Sequence, residues 1–195
     1  MSFGRLVTTL LEDSNKSLIF ARDELQKGNE SLSSYYIRSV FFISWSALEG
    51  WINYASHSFA STDRTLTEFE VAFLKEKRIE IDDDGLLKIT NQDAYEPTLK
   101  KLLYILQKFG NGFDLRHSMP DLWRELKEVE SKRHALVHPK NREIEIQLDI
   151  ADAEKCFNTI RNTIEIVKTK IYGPKSLWPQ KPPDKRLAEV LMVFP

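Results

Sequence analysis

Apolar residues recur along most of this chain at the three- and four-residue spacing of helices that bury one face. Leu6, Leu10, Ser14, Leu18 and Leu25 trace a first amphipathic helix, closed near Gly28 and Asn29. A second helix is expected over 33–58, with Ser31 or Ser33 as its N-cap. It is apolar nearly all round, through Ile37, Val40, Phe41, Phe42, Ile43, Trp45, Leu48, Trp51 and Ile52. Such a helix lies at the centre of a bundle or is covered on one side by a partner chain. A shorter helix is expected over 66–77.

The period then changes. RIEIDDDGLLKI, residues 78–89, holds two short alternating runs around an Asp-Gly turn, which is a hairpin signal. Helix resumes over 95–109, and 110–119 reads as a loop. Pro120 or Asp121 opens the next helix. EIEIQL, residues 143–148, alternates like a short strand. Asp149 or Asp152 then caps a last long helix with Ala153, Cys156, Phe157, Ile160, Ile164, Val167 and Ile171 on one face. Gly173 and Pro174 close it, and the prolines beyond predict an extended tail. The expectation is an all-α antiparallel bundle in a single domain over 1–172. A small β-hairpin accessory is inserted at 78–90, and a Pro-rich tail covers 173–195.

Composition alters this picture little. Hydrophobic residues are 42% and charged residues 29%, an ordinary globular balance. The formal charge of −1 provides no global field, so any polyanion site must be a local basic patch. The single cysteine, Cys156, excludes an intrachain disulfide and a Cys-based zinc site, and fits a reducing compartment. MSFGRLVTTLLEDSNKS lacks the features of a signal peptide, and no run approaches the roughly 18 apolar residues that span a membrane. A cytoplasmic protein without membrane association or cofactor is therefore expected.

The candidate chemistry lies in SKRHALVHPK, residues 131–140. The helix from 121 has a seam of Leu122, Leu126, Val129 and Leu136, and its spacing makes Arg133 the missing member. An arginine there needs a desolvated partner or a functional reason, because burying an unpaired charge is costly. His138 lies five residues on, about 140° away on an ideal helix. Pro139 disfavours helical dihedrals at His138, which lets the imidazole swing toward Arg133. The helix dipole favours a protonated His138 and Arg133 opposes it, so the imidazole is suited to exchange protons near neutral pH. Against this stands a bland reading, a basic helix end facing the dipole. His134 and His138 also have metal-ligand spacing, but no Glu follows His134, and no metal is expected.

RHALVH, Arg133 to His138, resembles the Arg-x4–6-His motif of the HEPN domain superfamily. YYIRSVFFISWSALEGWINYA, residues 35–55, is similar to the long second helix of those proteins, and the resemblance spans about 30–172. It implies a HEPN-like bundle acting as a homodimer, and a metal-independent endoribonuclease of toxin–antitoxin or phage-defence type. His138 would move the proton of the attacking 2′-hydroxyl or to the leaving oxygen. Arg133 would hold the scissile phosphate, and His134 would orient the pair or bind phosphate. An antitoxin or nucleotidyltransferase partner fits the same resemblance. The alternative is a non-catalytic HEPN-like module that binds RNA, nucleotide or a protein.

Several neighbours bear on that reading. Glu49 sits within SWSALEGWIN, almost without other charge, and is expected to pair with Arg133, with Asn53 one turn on as helper. Lys132, Lys140 and Arg142 are candidates to guide RNA, or equally a solvated cluster. Lys100, Lys101 and Lys108 read as an ordinary helix face. Trp45 and Trp51 read as core or dimer interface.

Overall fold

A computed structural model describes residues 3–137 and 147–173. The first two helices, α1 (Phe3–Gln26) and α2 (Glu30–Thr62), form a long helical hairpin whose bend is turned by Gly28 at φ 77°. A left-handed residue there suits glycine, which has no Cβ to clash. Asn29 occupies the cap position of α2 without a side-chain cap bond. Ser33, expected as a cap, instead lies buried inside the first turn, where its hydroxyl donates to the Ala21 carbonyl at 2.8 Å.

Helix α3 (Glu68–Leu74) opens with a capping box between Thr67 and Glu70. The chain then forms the expected hairpin, β1 (Lys77–Ile81) and β2 (Leu87–Asp93), paired antiparallel. Its turn is fixed by Asp82 Oδ1, which accepts from the amides of Asp84 and Leu86, and by Gly85 at φ 78°. Three helices follow: α4 (Thr98–Phe109), α5 (Leu115–Ser118) and α6 (Pro120–Val137). The short α5 lies inside the stretch expected to be a loop. The last helix, α7 (Ile150–Tyr172), starts on a capping box of Asp149 with Asp152 and ends at Gly173. Residues 147–149 are irregular, while 143–146 of the expected strand and the Pro-rich tail from 174 lie outside the described residues. The described residues are mostly helical with one small hairpin, as the periodicity predicts.

Helix α2 is the axis of the molecule. It packs against α1, α7, α3, α4 and α6. Phe41, Trp45, Leu48, Trp51 and Ile52 are all buried in one cluster with residues of α4, α6 and α7. The apolar girth of α2 is thus largely covered within one chain and does not itself call for a partner. Trp45 and Trp51 are core residues. Two serines on the α1–α2 seam satisfy each other, with Ser14 Oγ and Ser44 Oγ 2.6 Å apart. Cys156 is buried nearby, and desolvation pushes its thiol pKa up to about 12. Among the described residues no helix is long and apolar enough to cross a membrane.

Candidate functional site

Helix α6 carries the motif on a face set by its own periodicity. Leu122, Leu126 and Val129 are buried, and Leu136 packs against the same core. Arg133 continues that stripe and is half-buried, as its seam position predicts. Among the described residues no hydrogen bond or ion pair engages its guanidinium. His134 is exposed in the final turn. His138, Lys140 and Arg142 lie outside the described residues, so their relation to Arg133 is left to the sequence.

Lys132 is already engaged. Its ammonium stands 2.8 Å from Glu128 Oε1 and 2.6 Å from Asp152 Oδ1. Lys155 approaches the other oxygen of Glu128 at 2.6 Å. Hydrogen bonds from Lys132 and then Lys155 hold the Glu128 carboxyl down to about 2. Two carboxylates therefore neutralise the lysine expected to guide RNA. In this arrangement Lys132 ties the end of α6 to the start of α7.

Glu49 does not pair with Arg133. Its Oε1 accepts from the Thr98 hydroxyl at 3.1 Å, and among the described residues no ion pair joins it to the guanidinium. Asn53, one turn on, accepts from Lys101. Both side chains share the face of α2 that α4 covers, whereas Arg133 rides on α6. Sequence spacing placed the carboxylate on the right helix but could not say which neighbour would meet it.

The face they share holds a second polar cluster, which sequence reasoning missed. Lys101 is 2% exposed, unlike Lys100 and Lys108, both of which reach solvent. Its ammonium donates to Asn53 Oδ1 and lies 3.1 Å from Glu76 Oε1. Glu76 sits at the root of the β-hairpin in a left-handed conformation, φ 54°, where its carbonyl accepts from the Ala94 amide at 2.7 Å. A non-glycine residue in that region costs roughly 1 kcal/mol, which the surrounding bonds must offset. The arrangement pins hairpin, α4 and α2 at one point. With its ammonium enclosed by protein groups, Lys101 serves as an anchor and offers no open face to a substrate.

Beside it, α3 and α4 form a shallow open groove lined by Phe69, Phe73, Tyr104, Lys100 and Glu70. Glu70 accepts from Lys108 at 2.7 Å, from Tyr104 at 2.8 Å and from the Thr67 amide at 2.8 Å. These bonds, that of Lys108 foremost, hold its carboxyl down to about 2. Burial, reinforced by the Glu70 bond, pushes the Tyr104 hydroxyl up. Among the described residues no group of His, Cys, Asp and Glu is arranged to hold a metal ion.

Comparison with known proteins gives no relative: no family model, no curated protein and no solved structure matches this chain.

Proposed function

We propose that the chain is a HEPN-like, metal-independent endoribonuclease in which Arg133 and His138 act on a scissile phosphodiester. The observation that supports this reading is Arg133 itself. It occupies an apolar-seam position, half-buried, with its charge unspent on any described residue. A guanidinium held this way suits stabilisation of charge developing on phosphate oxygens. His138 serves as the proton carrier between the 2′-hydroxyl and the leaving 5′-oxygen. His134, exposed one position from Arg133, adds a phosphate contact. The working unit is a homodimer with one motif from each protomer in a shared cleft. A cytoplasmic toxin or phage-defence effector, held by an antitoxin or a nucleotidyltransferase, is the corresponding role.

RNA cleavage in EDTA by wild type, Arg133→Ala and His138→Ala tests the reading. Each substitution should lower the cleavage rate by about 100-fold or more, the scale of a lost general acid–base or oxyanion contact. Intact RNA with the wild type, or equal cutting by all three proteins, would exclude catalysis by this pair. A monomer at micromolar concentration in sedimentation would exclude the composite cleft. A non-catalytic module that binds RNA, nucleotide or a protein is the second reading. It draws support from Lys132, whose two carboxylate partners leave fewer free cations at the end of α6. Binding without cleavage would favour it.

A further inference from the structure

The β-hairpin presents an apolar face that the described residues leave open. Cross-strand pairing sets Ile79 opposite Ile89 and Ile81 opposite Leu87, so these four side chains share one side. Ile81 is 71% exposed and Leu87 is 58% exposed, and Ile79 also reaches solvent. Beyond its own pairing, the hairpin packs substantially only with α3, and the Lys101–Glu76 pair fixes its root against the body. A two-stranded hairpin with a bare apolar side is marginal in water, so a covering layer stabilises it.

Charge is spread unevenly along the hairpin. Its tip, with Asp82, Asp83 and Asp84, carries only anions. Asp82 is engaged in the turn, while the carboxylates of Asp83 and Asp84 engage no described residue. The root holds Lys75 and Lys77. Lys77 pairs with Asp93 at 2.6 Å, and the Lys75 ammonium has no partner among the described residues. An acidic tip repels nucleic acid. A fitting cover is apolar in the middle, cationic over the tip and anionic over the root. The hairpin itself, turned end for end, has those features.

We propose that this face docks on the same face of a second copy of the chain, as a twofold pair with tip over root. A twofold axis lying between the two sheets, perpendicular to their strands, sets β1 over β1 with its direction reversed. Centred at the level of Glu80, it lays Ile79 of each copy over Ile81 of the other, with the sheets about 10 Å apart. Asp83 lies three residues beyond Glu80 and Lys77 three before it. Each acidic tip therefore falls over the basic root of the other copy, with Lys75 just behind. An axis parallel to the strands would instead gather the aspartates of both copies at one end. The apolar contact covers roughly a few hundred Å² per copy, the low end for a specific interface, so the pair is weak and concentration-dependent.

This contact stands apart from the motif on α6. Lys132 meets Asp152 at the start of α7, and Ala153 clusters with Ile37 and Val40 of α2. Arg133 thus lies near the level of Ile37. The hairpin root reaches α2 through Lys101 at Asn53, about 24 Å further along that helix. The inference holds whether or not Arg133 and His138 cleave RNA.

Hydrogen exchange and sedimentation on the full chain test the proposal, comparing wild type with Ile81→Thr and Asp83→Lys. In the wild type, amides of 77–93 should exchange several-fold more slowly as concentration rises from micromolar toward millimolar. Ile81→Thr keeps a β-favouring residue but removes most of the apolar side chain, and should weaken association at least tenfold. Asp83→Lys, at the exposed tip, should weaken it about threefold or more. Arg133→Ala, which tests the cleavage reading, should leave both readouts as in the wild type. Exchange in 77–93 that ignores concentration would overturn the proposal. So would association that Ile81→Thr and Asp83→Lys leave unchanged, which would place the contact between copies on another face. Stronger association of Asp83→Lys would mean tip against tip, and would overturn the proposed pairing.

Discussion

Lys101 of α4 and Glu76 at the hairpin root meet as an ion pair at 3.1 Å, with the lysine side chain almost wholly buried. Asn53 of α2 completes the contact, so one ammonium joins three parts of the chain. Removing it strands a carboxylate and an amide that were arranged around a cation. Lys101→Ala should cost about 2–4 kcal/mol, toward the lower end because Glu76 can still reach water. Lys101→Met, which keeps the volume, should cost less than half of that. Urea unfolding of the two variants checks the ordering, and equal losses would mean that packing and not charge holds the site.

Stability should fall in acid through Glu70. Its folded pKa of about 2 lies below the ordinary 4.5, so its contribution is complete above that ordinary value. It is lost as pH drops from 4.5 through about 2. Glu128, also held at about 2, adds to the same window. Urea midpoints should therefore decline from about pH 5 downward. Glu70→Gln should flatten part of that decline, and an unchanged profile would show that the Lys108 and Tyr104 bonds contribute nothing.

Lys132 should behave as a structural residue. Lys132→Ala leaves Glu128 and Asp152 without the cation between them and should cost about 1–2 kcal/mol. RNA affinity, measured as a function of salt, should keep its slope. A shallower slope would return Lys132 to the list of phosphate contacts.

Arg133 should show the opposite profile. Its place on the seam makes Arg133→Leu neutral or stabilising by about 0.5–1 kcal/mol, through added apolar burial. The same substitution should abolish RNA cleavage. Loss of stability would instead identify Arg133 as part of the scaffold. Thermal unfolding and a cleavage assay on one preparation separate the two.

The helices and the hairpin were legible because each carries a local signal. Asp82 and Gly85 make the turn, Asp149 makes the cap of α7, and the Leu122–Leu126–Val129 stripe fixes the inner face of α6. Lys101 was not legible. It lies toward the edge of the α4 apolar stripe, and Lys108, two turns on, falls within about 20° of it on an ideal helix, so local period treats the two alike. What separates them is the arrival of Asn53 and Glu76 from 48 and 25 positions away. Glu49 illustrates the same limit: its isolation in an apolar helix signals that it needs a partner, but helix packing chooses Thr98. Short α5 was hidden because four residues, held by the Asp114 cap, are too few to show a period.

Asp152 has two duties. One oxygen receives the Lys132 ammonium at 2.6 Å, and the other accepts the Asp149 amide that closes the capping box of α7. The C-terminal part of α6 and the first turn of α7 therefore draw on a single carboxylate. Withdrawal of Lys132 would loosen the start of α7, and fraying there would in turn leave Lys132 to Glu128 alone. The hold on Lys132 and order at the start of α7 are two readings of one equilibrium.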